Sequence, residues 1–415
     1  MPEYRVAILH YSAPPVVGGV EAVILEHCRV FYNAGYQVSV IAGRGNESSI
    51  SPYAEFIHIP EMDSQNISIR GITKELENGL LPYDFESVAN CILDKLSQLI
   101  DAYDHIIVHN IFTKHFNLPL TVAIYKLLDR KLIRNCIAWC HDFTWTSPAS
   151  RAKVHPGYPW DLLRTYRRDI KYVVVSKQRQ DELARLYDCP IDEIRVIYNG
   201  VDPRNLLGLS QEGVQLIERL SLLSADLVIL MPVRVTQAKN IEFALRMVAV
   251  LKEKLAKPKL VLTGPPDPHD AQSMIYYENL KSMRKDLGVE NEVQFVFDSG
   301  PSSSEPLYIE YKTVGDLFRV SDIMFMPSHR DGFGMPILEA GLVGTQVICT
   351  PVPAAEEIGG ESVIKISTTD TPENVAFKIL EWMALSGIHR LRRLVRQEYT
   401  WESIFQRSIK PLFEG

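Results

Sequence analysis

The segment Pro327-Ser-His-Arg-Asp331-Gly-Phe-Gly334-Met-Pro-Ile-Leu-Glu339 sets two carboxylates seven intervening residues apart around a Gly-x-Gly turn. The turn opens a helical pattern, so the backbone amides of Phe333, Gly334 and Met335 are presented at a helix start, where free N–H groups and the helix dipole attract anions and hydroxyl oxygens. A carboxylate accepts two hydrogen bonds from vicinal hydroxyls. Asp331 and Glu339 with those amides therefore suit a sugar or a ribose better than a bare phosphate. An acidic residue favoured by the helix dipole accounts for Asp331 alone, not for the whole arrangement.

Arg234 and Lys239 follow the apolar run Leu227 to Pro232. Arg as a planar fork and Lys as a point charge suit a diphosphate, and although a solvated loop explains them equally well in isolation, their place at a strand end favours the binding reading. Gly18-Gly19-Val20 opens a helical pattern and lets backbone amides approach an anion; taken alone it reads better as a flexible turn, and it lacks the Gly-x-Gly-x-x-Gly spacing of a dinucleotide site. His141 stands after a strand pattern, a position that favours function over plain structure. His109-Asn110, at another strand end, reads as structural, and His329 is undecided. Two further segments are acceptor loops or surface excursions, with the surface reading preferred: Asp63 to Phe85, with Arg70, Gly71 and Lys74, and Thr144 to Tyr158, with Arg151, Lys153 and Trp145 near Trp160. Cys136, Cys140 and His141 lack a second ligand pair at zinc spacing, so no metal site is expected.

These residues need elements to hold them. The chain has 415 residues, 46% apolar and 23% charged, enough for two or three ordinary globular domains. Its 44 Lys and Arg against 51 Asp and Glu give a net charge of −7, which excludes a broad basic face for nucleic acid. Six scattered cysteines make a disulfide framework unexpected. Met1 to His10 lacks the pattern of a signal peptide, and no apolar stretch reaches the roughly 18 residues of a membrane span. A cytoplasmic location follows as the expectation, with room for a peripheral contact at the inner membrane through an amphipathic face.

Short apolar runs read as buried strands: 5–10, 37–42, 56–59, 105–109, 134–140, 172–176 and 195–198, then 227–232, 259–263, 293–296, 323–326 and 347–349. Helical patterns lie between them, at 20–34, 85–102, 118–128, 177–187, 241–255, 271–287 and 336–342. The alternation predicts α/β architecture with two doubly wound parallel-sheet, Rossmann-like domains facing each other across a cleft. Residues 1–200 form the first domain and 201–390 the second. The tail 391–415 carries Trp401, Ile404, Phe405 and Ile409 on one apolar face and is expected to pack back on the first domain.

Taken together, the sequence resembles the retaining, nucleotide-sugar-dependent glycosyltransferases of family 4, which have the type-B fold. The resemblance rests on the Asp331 to Glu339 segment around Gly-Phe-Gly-x-Pro, on Gly18-Gly19-Val20, His141-Asp142, Asn199-Gly200-Val201-Asp202, Arg234 with Lys239, and the closing helix around Trp401. It implies that Arg234 and Lys239 hold a donor diphosphate, approached also by the Gly18-Gly19 amides. It further implies that Glu339 grips the ribose, that Asp331 and the Phe333 to Met335 amides hold the transferred sugar, that His141 lies near the anomeric centre, and that Gly264 flanks the nucleoside. Asp331 stands where the family usually has Glu, one methylene longer, which alters the reach to the sugar.

The expected activity is metal-independent hexosyl transfer with retention, from a nucleotide-diphosphate sugar to a hydroxyl of a glycan, lipid-linked sugar or small molecule. No Asp-x-Asp triplet is present to hold a metal against the diphosphate, and no cofactor beyond the nucleotide sugar is called for. A nucleotide-sugar epimerase and a catalytically silent nucleotide-sugar-binding subunit are the alternatives. Oligomeric state is not legible.

Overall fold

The computed structural model describes residues 4–267, 272–300 and 305–414. The chain divides into two units, Met1–Gly200 with Trp401–Gly415, and Val201–Thr400.

In the first unit, β1 (Arg5–His10), β2 (Gln37–Ala42), β3 (Glu55–His58), β4 (His105–His109), β5 (Cys136–Cys140), β6 (Ile170–Val174) and β7 (Ile194–Val196) form one sheet. Its order is β3-β2-β1-β4-β5-β6-β7, and every pairing is parallel. Side chains alternate across a strand, so each apolar run feeds two cores. Ala7, Leu9, Ile106, Val108, Ala138 and Tyr172 face helices Phe85–Ser97, Leu118–Asp129 and Lys177–Tyr187. Val6, Ile8, Val40, Ile107, Ile137 and Trp139 face helix Gly19–Asn33 and the tail residues Trp401, Ile404, Phe405, Ile409, Leu412 and Phe413. Burial of large side chains of this kind contributes roughly 1.5–3 kcal/mol each, which fixes the tail as part of this core. Polar ties add direction: Arg29 Nη1 donates to Glu402 Oε1 at 2.6 Å, and Lys171 Nζ to Leu412 O at 2.9 Å. Gly200 is required by space here, since a Cβ would sit 2.8 Å from the Trp401 backbone nitrogen.

In the second unit, β8 (Leu227–Met231), β9 (Pro258–Leu262), β10 (Val293–Phe295), β11 (Ile323–Met326), β12 (Gln346–Cys349) and β13 (Ile364–Lys365) form a parallel sheet in the order β10-β9-β8-β11-β12-β13. Leu227, Ile229 and Met231 pack under helices Ile241–Lys252, Ser273–Asp286 and Pro372–Leu385. Val228 and Leu230 pack under Gln211–Arg219, Tyr311–Val320 and Met335–Val343. Residue 271, where the sequence reading starts one of these helices, lies outside the described residues.

The chain returns to the first unit at Trp401 rather than at residue 391. Helix Gly387–Glu398 belongs to the second unit because its arginines are committed there. Arg393 Nη2 donates to Asp226 Oδ1 at 2.7 Å, and Arg396 Nη2 donates to Asp322 Oδ2 and to Ala225 O, both at 3.0 Å. Arg396 and Asp322 are both buried, so this pair is shielded from solvent screening. Among the described residues no helix is long and apolar enough to cross a membrane.

Candidate active site

In an open parallel sheet, ligands bind beyond the carboxyl ends of the strands where the strand order reverses. In the second unit that point lies between β8 and β11, since the order runs outward from β8 through β9 in one direction and from β11 through β12 in the other. The loops leaving these two strands carry Arg234 and Lys239, and Asp331 to Glu339. They are fastened together: the backbone N–H of His329 donates to Ala238 O at 2.9 Å, and Asn240 Nδ2 to Pro327 O at 3.3 Å.

Lys239 Nζ forms an ion pair with Asp331 Oδ2, and both side chains are largely enclosed, 20% and 15% exposed. The sequence reading gave the two residues to different parts of a ligand; the structure couples them. Arg234 is more open, 62% exposed, with Nη1 4.0 Å from Asp267 Oδ1. Its loop is held by Gly264, where a Cβ would come within 2.3 Å of Val233 O and 2.7 Å of Arg234 Cα. Only glycine allows the chain after β9 to cross that closely, and the N–H of Gly264 donates to Val233 O at 3.1 Å. Gly264 therefore positions Arg234, whatever it touches in a ligand.

Gly334 caps helix Met335–Val343 with φ +101°, a backbone conformation that other residues rarely adopt. Phe333 and Met335 on either side of it are exposed, and Phe333 O accepts from the N–H of Ala354 at 2.9 Å. Glu339 is not free: its Oε1 accepts the Tyr311 hydroxyl at 2.8 Å, a bond that pushes the Tyr311 phenol above its ordinary range. Tyr311, on a helix the sequence reading did not assign, is the residue that reading missed here.

In the first unit the order reverses between β1 and β4, and histidines end both strands. His10 Nδ1 lies 2.9 Å from His109 O, and His109 Nδ1 lies 3.1 Å from His141 Nε2, just past β5. Asn110, with φ +58°, aims its Oδ1 at the N–H of His141, 2.7 Å away. Asn tolerates the left-handed region better than most residues, so it both turns the chain and holds the next strand's end. His109 is fully buried and supports His141, in keeping with the structural reading of it. Burial, reinforced by the nearby His10 and opposed by Asp142, pulls the His141 imidazole down to about 4. It is a neutral donor and acceptor at physiological pH. His27, from helix Gly19–Asn33, completes the group: its ring lies 5.3 Å from that of His109 and 4.5 Å from that of Trp139. Neither nitrogen of His27 has a hydrogen-bond partner among the described residues, and burial, with a contribution from His141, lowers it to about 3. Among the described residues no three His, Cys, Asp or Glu side chains are disposed to hold a metal ion.

Gly18 and Gly19 start helix Gly19–Asn33, as read. Gly18 is extended at φ −168°, and its nearest neighbour is the carboxylate end of the Glu21 side chain. Glu21 Oε1 accepts the Ser12 hydroxyl at 2.6 Å. A carboxylate thus stands at the glycine turn where the sequence reading placed an anion, and Ser12, Glu21, His10 and His27 were not singled out. The grouping of His10 and His27 with His109 has no signature in residue spacing, because β1 and β4 meet only in the folded sheet. In the segment read as an acceptor loop or a surface excursion, Trp145 and its neighbour Trp160 are both buried, with Trp145 Nε1 donating to Trp160 O at 3.2 Å.

Residues 17–205 match the family described as Glycosyltransferase Family 4, and residues 216–401 match Glycosyl transferases group 1. Between them the two matches leave only short stretches of chain uncovered. The chain belongs to the family 4 type-B glycosyltransferases. A mannosylglucosylglycerate synthase of Petrotoga mobilis is 26% identical over 334 residues, 77% of this chain and 72% of the relative. An uncharacterised glycosyltransferase of Methanocaldococcus jannaschii is 25% identical over 257 residues, 60% of this chain, and a D-inositol 3-phosphate glycosyltransferase of Saccharomonospora viridis is 26% identical over 240 residues, 56% of this chain. The chain spans 61% and 52% of the length of these last two relatives. A glycosyltransferase structure from Rickettsia africae aligns with 100% of this chain and 99% of its own at 16% identity and a TM-score of 0.37.

Proposed function

We propose that this chain is a retaining hexosyltransferase that takes its sugar from a nucleotide-diphosphate donor and needs no metal ion. The observation that carries the reading is the Lys239–Asp331 pair at the β8/β11 reversal, with Arg234 on the same loop as the lysine and the Gly334 helix start beside the aspartate. A diphosphate supplies the anion that Lys239 otherwise takes from Asp331, and it releases that carboxylate for the hydroxyls of the transferred sugar. Arg234 completes the charge on the second phosphate. Glu339 exchanges the Tyr311 hydroxyl for those of the ribose.

In the reaction the acceptor oxygen bonds to the anomeric carbon on the face from which the diphosphate departs. The carbon–oxygen bond to phosphate breaks, and the acceptor's proton passes to the leaving phosphate oxygen. The protein's part is to orient the reactants and to stabilise charge growing on the diphosphate through Arg234, Lys239 and helix-end amides, a task that fixed cations perform without a metal. In the first unit, neutral His141 is proposed to act as a hydrogen-bonding group and not as a charged one.

A thermal-shift screen of nucleoside diphosphates and nucleotide sugars tests the reading, because a ligand that binds the folded state raises the unfolding temperature. At least one nucleotide should stabilise the protein, and the same donor should be turned over with retention at the anomeric carbon. No stabilisation by any nucleotide, or an inverted product, refutes it.

A further inference from the structure

The two segments that read as surface excursions meet in the first unit. Helix Ile67–Glu77, anchored through buried Ile69, Ile72 and Leu76, lines an open cavity of about 390 Å³ together with His115, Phe116 and Lys153. That volume falls in the roughly 300–1,000 Å³ range of small-ligand pockets. Its walls are fixed from behind: buried Asn117 donates from Nδ2 to Glu61 O at 2.9 Å and to Met62 O at 3.2 Å.

The charge lining is uneven. Arg70, Lys74 and Lys153 face one acid, Glu77, whose Oε1 is already shared between Lys153 Nζ at 3.1 Å and His115 Nε2 at 3.2 Å. Among the described residues Arg70 and Lys74 have no carboxylate within ion-pair distance. Half-buried Lys114 adjoins the cavity, its ammonium 4.8 Å from the centre of the Phe116 ring, and it too lacks a carboxylate partner among the described residues. Burial lowers the pKa of Lys114; Asp142 opposes this, while Arg179 and Lys153 add to it, so the surroundings of this lysine favour an incoming anion. Burial brings His115 down to about 4, so it contributes hydrogen bonds and no charge at neutral pH. Thr73 and Ser64 add hydroxyls.

The cavity is lined by segments that follow β3, β4 and β5 of the sheet whose β5 leads into His141. Thr144, three residues beyond that histidine, accepts the backbone N–H of His115 at 3.2 Å and lies 3.0 Å from its Nδ1. Tyr11, next to the end of β1, donates its hydroxyl to Lys114 O at 3.3 Å.

We propose that Arg70, Lys74, Lys114 and Lys153, with Thr73 and Ser64, bind the phosphate or carboxylate of a polyhydroxylated acceptor. The word acceptor rests on the transfer reaction proposed above; the pocket's preference for an anion does not.

Calorimetric titration of the full chain tests the pocket directly. The probes are glucose 6-phosphate, inositol 1-phosphate and glucuronate, each against its neutral counterpart, glucose, inositol and methyl glucoside. At least one charged probe should bind ten-fold or more tightly than its neutral counterpart, and the phosphate and carboxylate probes decide which group is preferred. Arg70→Ala combined with Lys74→Ala should remove that preference while leaving the nucleotide-induced thermal shift unchanged. Both side chains are exposed, so the variant's thermal unfolding reports whether the fold is intact. No binding by any charged probe, equal binding of charged and neutral probes, or a preference that survives in the double variant overturns the assignment. Charged-probe binding without any nucleotide shift leaves this pocket standing and removes the donor reading instead.

Discussion

Replacing His27 by Leu should make the first unit markedly more resistant to acid. His27 is fully buried, lacks a partner for either ring nitrogen among the described residues, and has its folded pKa lowered from 6.5 to about 3. Between those values the unfolded chain binds a proton that the folded chain refuses. The contribution of this residue to stability is therefore complete above pH 6.5 and is lost as pH falls toward 3. At 1.36 kcal/mol per pH unit, moving to pH 5 costs about 2 kcal/mol through this one side chain. His10, His109 and His141 are depressed in the same direction and enlarge the total loss. Leu is close to His in size and has nothing to protonate. Urea unfolding followed by tryptophan fluorescence suits the question, because Trp139, Trp145, Trp160 and Trp401 all lie in the first unit. The difference in unfolding free energy between pH 8 and pH 5 should be about 2 kcal/mol smaller in His27→Leu than in the parent. Equal pH dependence in the two proteins would show that His27 already has a proton-accepting partner or is hydrated, and the argument from burial would fail.

Two further outcomes bear on the nucleotide site. Lys239→Ala leaves Asp331 without its cation and removes a charge from the proposed diphosphate site; the thermal shift by nucleoside diphosphate should collapse, with donor KM rising about ten-fold or more, since hydrogen bonds to charged groups are worth about 1.5–3 kcal/mol. An unchanged KM removes Lys239 from the donor site. Gly264→Ala forces a methyl group toward Val233 O and Arg234 Cα, both backbone atoms, and should cost about 1–3 kcal/mol in urea unfolding while weakening nucleotide binding through displacement of Arg234.

Much of the fold is legible because parallel strands buried on both faces read as short apolar runs, and β1, β2, β4 and β11 fall where those runs do. Helices Gln211–Arg219 and Tyr311–Val320 went unassigned, and their interior glycines, Gly213 and Gly315, weaken a helical signal. Gly213 is there for space: a Cβ would lie 2.1 Å from Asp316 Oδ2, the carboxylate that also accepts the Ser210 N–H at 3.1 Å. A close crossing of two helices cannot be seen along one of them. The candidate site divides in the same way. Asp331, Glu339, Arg234 and Lys239 stand out because each follows a readable strand. The Tyr311–Glu339 contact and the grouping of four histidines depend on which elements become neighbours in the folded unit, and no local pattern states that.

The tail's place in the first core also bears on how the protein is made. A ribosome releases the β1 face long before Trp401, Phe405 and Phe413 exist to cover it, and the whole of Val201–Thr400 must be synthesised in between. At about 5–20 residues per second that interval lasts roughly 10–40 s. Throughout it the nascent chain displays an apolar surface around Phe31 and Trp139, and chaperones have that window in which to engage it.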